Sequence, residues 1–157
     1  MDACKDVIDL DIKIRKMCAQ DQNEVISMML DFYASDAVYT NGSLEIFQND
    51  FMACTSESPF IEGYIFHHNE DILGYAMLSK SFSTEFGKEC IWIEDLYLKK
   101  NYRGLKIGTM FFNFVEKTYP YALLRLEVED ENIPAISLYK KCGFDILPYK
   151  EMMKNLK

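Results

Sequence analysis

The sequence predicts one α/β domain, a mixed sheet with helices on both faces, and three observations predict it. Val7 to Arg15 reads VIDLDIKIR, placing Ile8, Leu10, Ile12 and Ile14 on one face of a half-buried strand. Ile61 to Phe66 and the run beginning at Ile72 flank a turn around His67 to Asp71, which predicts a hairpin. Finally, the apolar strand Ile91 to Leu98, a helix and the strand Leu123 to Val128 form a crossover unit. Its right-handed connection sets the helix against the sheet.

The remaining elements follow in order. Asp21 or Asn23 caps a helix reaching Tyr33, whose Val25, Ile26, Met29 and Leu30 recur at helical spacing. Ser43 starts a second helix that carries Leu44, Phe47, Phe51 and Met52 and fades by Ser56 to Pro59. The helix from about Leu105 to Thr118 turns Ile107, Phe111, Phe114 and Val115 inward. A short helix runs from Asn132 to Cys142, with Gly143 placed for a left-handed residue at its end. One or two closing strands are expected from Phe144 onward, although Pro148 interrupts their pairing.

Composition narrows the function. With 157 residues and 49% hydrophobic content, the chain can build one core without disulfides or metal. Cys4, Cys18, Cys54, Cys90 and Cys142 are odd in number and scattered, and the two histidines are adjacent, so a reduced, cytoplasmic protein with no metal is expected. No basic leader or long apolar run is present, so neither secretion nor a membrane partner is expected. A formal net charge of −8 argues against a nucleic-acid surface and suits a cationic small molecule.

Against that acidic background, Lys99, Lys100, Arg103 and Lys106 form a basic island just after Ile91 to Leu98. The stretch Arg103 to Thr109, RGLKIGT, opens a helix, where free backbone N–H groups and the helix dipole favour phosphate oxygens. Gly104 and Gly108, lacking a β-carbon, would let the phosphate approach. An ordinary glycine turn fits the heptapeptide equally well. It is neither a Walker A loop nor a dinucleotide fingerprint. Within the strand, Glu94 and Asp95 are acids in an apolar run, so each needs a partner or a job.

A second segment, Asn132 to Phe144 (NIPAISLYKKCGF), spaces Asn132, Ala135, Tyr139 and the Gly143–Phe144 pair as in a signature of the GNAT superfamily of N-acetyltransferases. With RGLKIG before it, the chain resembles that family over nearly its whole length. One departure is that Lys106 stands where the family pattern has its first glycine.

The resemblance implies a GNAT-like, mostly antiparallel sheet of about six to seven strands, splayed at the cofactor site and flanked by about four helices. It also implies acetyl-CoA as acyl donor. The pyrophosphate would rest on Arg103, Gly104, Leu105, Lys106, Ile107, Gly108 and Thr109. The pantetheine arm would lie along Leu96, Tyr97 and Leu98 and touch Asn132. Tyr139 would protonate the departing thiolate, although its helical spacing alone reads as core packing. Glu94 is the candidate base, its alternative being a structural ion pair, and Glu94 with Asp95 would bind the acceptor. A β-bulge could re-aim the two acids.

The tripeptide Glu94-Asp95-Leu96 with Tyr97 is similar to the diamine and polyamine N-acetyltransferase branch, which favours a small polycation. An amino acid, an aminoglycoside or a protein lysine stays open as acceptor. So does a noncatalytic acyl-CoA sensor. Homodimers are common in the resembled family and are allowed here.

Overall fold

The computed structural model describes residues 10–156. Five strands form one sheet in chain order: β1 (Lys13–Lys16), β2 (Ile61–His68), β3 (Asp71–Ser83), β4 (Lys88–Leu98) and β5 (Leu123–Leu126). The first four are antiparallel neighbours, while β5 runs parallel to β4. Between them lie α1 (Gln22–Tyr33), α2 (Leu44–Thr55), α3 (Ile107–Thr118) and α4 (Ile133–Lys141). The class and the four helices match expectation, and the sheet is smaller than expected.

Among the described residues, the expected closing strands are what is missing. Val7 to Asp9, the start of the expected first strand, lie outside the described residues, and β1 begins at Lys13. Beyond Phe144 no described residue joins the sheet. There Ile146 and Leu147 are adjacent rather than alternating, and Pro148 removes a ladder donor, so the segment cannot offer one apolar face. It crosses the molecule as an irregular tail tied by the Tyr149 hydroxyl to Glu85 at 2.8 Å.

Three of the helix signals act as read, whereas Asp21 precedes α1 without capping it, because its carboxylate accepts from the Cys18 amide and from Arg15 instead. Ser43 Oγ accepts from the Ile46 amide at 3.2 Å, and Asn132 Oδ1 accepts from the Ala135 amide at 3.4 Å. Gly143 takes φ +87°, the left-handed residue that ends α4. Two cores result. Val25, Met28, Met29, Phe47 and Phe51 pack α1 and α2 onto one sheet face, whereas Ile107, Phe111, Phe112 and Val115 pack α3 onto the other.

One irregularity positions everything downstream. Met77 pairs with Asp95 and Leu78 with Ile93, so Glu94 is the extra residue of a β-bulge. Before it, Ile91 and Ile93 face the α3 core. After it, Asp95 and Tyr97 face the α1 side, and Leu96 and Leu98 turn toward α3. A regular strand would have kept all four odd-numbered residues on one face.

Candidate active site

The sheet splays where β4 outruns β5. Pairing between the two stops at Ile93 and Leu126, leaving residues 94–98 of β4 without a partner on that side. On the other side, the Lys99 amide donates to Leu73 O at 2.9 Å. By strand alternation, the backbone groups of Leu98 and Leu96 therefore face the gap. An extended, amide-bearing ligand fits such an edge as an added strand.

The edge runs into the glycine turn. Ile107, Gly108 and Thr109 supply the first amides of α3, which have no intrahelical acceptors. Lys106 caps this helix start with φ +62° and ψ 17°, a left-handed conformation that glycine adopts without strain. A lysine there incurs the strain and adds a charge at the mouth of the gap. Gly104, at φ +79°, has open space where a β-carbon would stand. Gly108 differs from its expected role, because a β-carbon there would meet Leu138 Cδ2 at 2.7 Å. Its missing side chain lets α3 and α4 approach, which in turn seats Tyr139 one residue further on. The Arg103 side chain also departs from a simple phosphate ligand. Its Nε donates to Leu98 O at 2.9 Å, and its guanidinium lies 5.8 Å from the Tyr97 ring centre.

One cleft gathers Glu94, Leu96, Tyr97, Leu98, Asn132 and Tyr139 with the turn residues Arg103, Gly104, Lys106, Ile107, Gly108 and Thr109. Leu105 and Asp95 stand outside it. Leu105 instead lines a small depression near Leu10 and Ile12. Tyr139 packs edge-on against Phe112 and near Phe144, with centroids 5.8 and 6.0 Å away. Burial raises its phenol pKa, so it keeps its proton at neutral pH.

The two strand acids part company. Glu94 is exposed and accepts a short hydrogen bond from Ser79 Oγ, which holds the carboxylate over β3. Asp95, expected beside it at the acceptor, is 5% exposed and receives the hydroxyls of Tyr75 at 2.8 Å and Tyr33 at 3.0 Å. The bulge is the reason, since it turns Asp95 beneath α1. Burial pushes Asp95 up to about 6 despite those two hydrogen bonds, and the charges of Asp50 and Glu94 add to the rise.

Two neighbours, Asp50 and Ser79, carried no sequence signal for a site. Asp50, half-buried on α2, is raised by burial and then by the charge of Glu94. Ser79 is an ordinary strand serine until the bulge brings Glu94 to it. At the far wall Glu127 is pushed up to about 7, first by its hydrogen bond to Glu151 and then by burial. Glu129, Asp130 and Glu131 line the cleft beside it.

A sheet splayed between two parallel strands, with a helix start at the mouth of the gap, is the acetyltransferase type of α/β domain. The model of the Acetyltransferase (GNAT) family matches residues 26–144, and the chain belongs to that family. It is 38% identical over 78 residues to thialysine N-epsilon-acetyltransferase of Bos taurus, covering 46% of this chain and 44% of that protein. Over 89 residues it is 35% identical to the probable N-acetyltransferase san of Drosophila melanogaster, covering 54% and 47%. The chain thus spans about half the length of the curated relatives it matches.

Among solved structures, a possible acetyltransferase from Clostridium difficile 630 superposes with a TM-score of 0.79 at 17% identity, covering 93% of this chain and 98% of that one. AAC(6')-Iy, in complex with a CoA-linked bisubstrate analogue, superposes at 0.74 with 11% identity over 93% and 99%. These two share the fold. No helix among the described residues is long and apolar enough to cross a membrane.

Proposed function

We propose that this protein transfers the acetyl group of acetyl-CoA to a primary amine of a small cationic molecule by direct attack. The reading rests on the open edge of β4, which passes from exposed Glu94 through Leu96 and Leu98 into the free amides of α3. Acetyl-CoA combines an amide-bearing arm with a pyrophosphate, in the order the edge and the helix start would meet them. Here it is a substrate, and its acetyl end would lie between Glu94 and Tyr139.

Each residue then has a job. An alkylammonium with a pKa of about 10 cannot attack until it loses a proton, and Glu94 takes that proton directly or through water. The freed lone pair forms the C–N bond at the thioester carbonyl, and the C–S bond breaks. Tyr139 gives its proton to the leaving sulfur and is reprotonated, through water, by the second proton that the acylated nitrogen sheds as the amide forms. Asn132, whose side chain caps α4, holds the helix that carries Tyr139 at the pantetheine path.

Burial and neighbouring carboxyls hold Asp50 and Glu127 toward their neutral forms, and a bound ammonium would favour their ionised forms, which supports an ammonium-bearing acceptor such as a polyamine or a lysine-type amine. The Bos taurus relative, named for the side-chain amine of thialysine, points the same way. The test is release of free CoA thiol from acetyl-CoA with polyamines, diamino acids, aminoglycosides and lysine peptides. Release with an amine class supports the transferase and names its acceptor. Binding of acetyl-CoA without release for any amine overturns it in favour of a sensor.

A further inference from the structure

Ser79, half-buried on β3, pairs with Trp92 of β4, two positions before Glu94. By strand alternation it shares a face with Met77, which belongs to the α1 core. Its Oγ donates to Glu94 Oε1 across the bulge, and this is the one side-chain hydrogen bond that either residue makes among the described residues. No cationic side chain among them forms an ion pair with Glu94. Glu94 lines the cleft and Ser79 does not, so the serine holds the carboxylate from the strand and leaves the groove clear.

That bond has two chemical effects. An exposed glutamate samples several rotamers, and only those that aim an oxygen into the cleft can take a proton there. With Oε1 held by Ser79, Oε2 has no partner among the described residues and is the oxygen left for an ammonium. A donated hydrogen bond also favours a carboxylate over its acid. Here acids crowd the position, because the charge of Glu94 is felt by Asp95 beside it on β4, Asp50 on α2 and Glu127 beyond β5, and by the Tyr33 phenol of α1. Against that crowd, Ser79 is the donor bonded to it.

We propose that Ser79 is the positioning residue of Glu94, its hydroxyl fixing one carboxylate oxygen so that the other faces the ammonium of the acceptor. This deepens the transferase reading above and rests on it, with Glu94 as the base. Ser79 acts only through Glu94 and keeps its own proton throughout. The bulge makes the arrangement possible, since Glu94 is the added residue opposite β3 and Ser79 is the side chain it meets there.

The test compares Ser79→Thr with Ser79→Val, which match in shape, suit a strand and differ by the hydroxyl, and adds Ser79→Ala as a third variant. Acetyl-CoA is supplied with spermidine, L-lysine or kanamycin, whichever releases most CoA with the wild type. Ser79→Val and Ser79→Ala should lower kcat by about fivefold to tenfold near neutral pH and move the acidic limb of the rate profile upward by about half a pH unit or more. Ser79→Thr should keep the wild-type rate and profile, and calorimetric acetyl-CoA affinity should hold in all three. In a Glu94→Gln background the loss from Ser79→Val should disappear, because no base is left to aim. Wild-type kinetics in the Val and Ala variants, a loss shared by Ser79→Thr, or an equal loss in the Glu94→Gln background overturns the inference while the transferase reading stands. If the Val variant does not fold, Ser79→Ala decides by the same criteria. A wild-type rate in Glu94→Gln alone removes the base and this inference with it, whereas silence with every amine class overturns the transferase reading as well.

Discussion

The Tyr33 hydroxyl, at the last turn of α1, donates to Asp95 at 3.0 Å, so α1 is bonded to the residue directly after the bulge. Tyr75 donates to the other oxygen at 2.8 Å from β3. Two phenols thus hold one buried carboxyl between a helix and the sheet, directly beneath Glu94.

Asp95 makes native stability depend on pH in an uncommon direction. Its folded pKa of about 6 lies above the ordinary carboxylate value, so its contribution is full below about pH 4 and is lost as pH rises through 6. The cause is burial, which penalises the ionised form. Asp95→Asn removes this ionisation and keeps groups able to bond both phenols. Urea unfolding at pH 4.5, 6 and 7.5 should show the variant gaining on the wild type with rising pH, by on the order of 2 kcal/mol. A difference that does not vary with pH would count against the assignment.

Glu62 has the opposite sign. Burial alone would raise it, but the side chains of Lys80, Tyr119, Lys16 and Tyr64 outweigh burial and lower it to about 2. Its contribution is present above the usual glutamate pKa and lost as pH falls through 2. Lys16 is exposed and adds little, whereas Lys80 and Tyr119 join β2 to β3 and to the end of α3, and Tyr64 bonds Glu62 within β2. Glu62→Gln should destabilise at pH 7 by about 2 kcal/mol, read from denaturant midpoints. The loss should shrink toward pH 2.

Lys106→Gly separates strain from charge at the glycine turn. Glycine accepts φ +62° freely, so the variant should be more stable by up to about 1 kcal/mol. Calorimetric acetyl-CoA affinity should fall several-fold at low salt, and its salt dependence should weaken, because one cation has been removed. Unchanged affinity across salt would place the ammonium away from the phosphates.

Turnover distinguishes Tyr139 and Glu94. Tyr139→Phe keeps the packing against Phe112 and Phe144, so acetyl-CoA affinity should hold while kcat drops by about 100-fold. Glu94→Gln should depress the rate most at low pH, and the deficit should narrow toward the amine's own pKa of about 10. A parallel pH profile would remove Glu94 as the base.

How legible the site was depended on the range of the physics. Caps at Ser43, Asn132 and Gly143 obey rules confined to a few residues, and each acts as its residue type dictates. The run from apolar strand to glycine turn was equally local. The separation of Glu94 from Asp95 was not, because IWIEDLYL is apolar on both sides of the acids and suits either parity. Only pairing with Met77 and Leu78 of β3 settles which face each residue takes. Gly108 was legible as a glycine of the turn but not as a neighbour of Leu138, some thirty positions later.

The bulge has a consequence for how this chain tolerates change. Because Glu94 is the extra residue, deleting it would set Ile93 directly before Asp95, and plain alternation would leave Asp95 and Tyr97 on the α1 side and Leu96 and Leu98 toward α3. Deleting Leu96 instead would reverse the faces of Tyr97 and Leu98. Loss of residue 94 should therefore cost far less in thermal stability than loss of residue 96, although both shorten β4 by one.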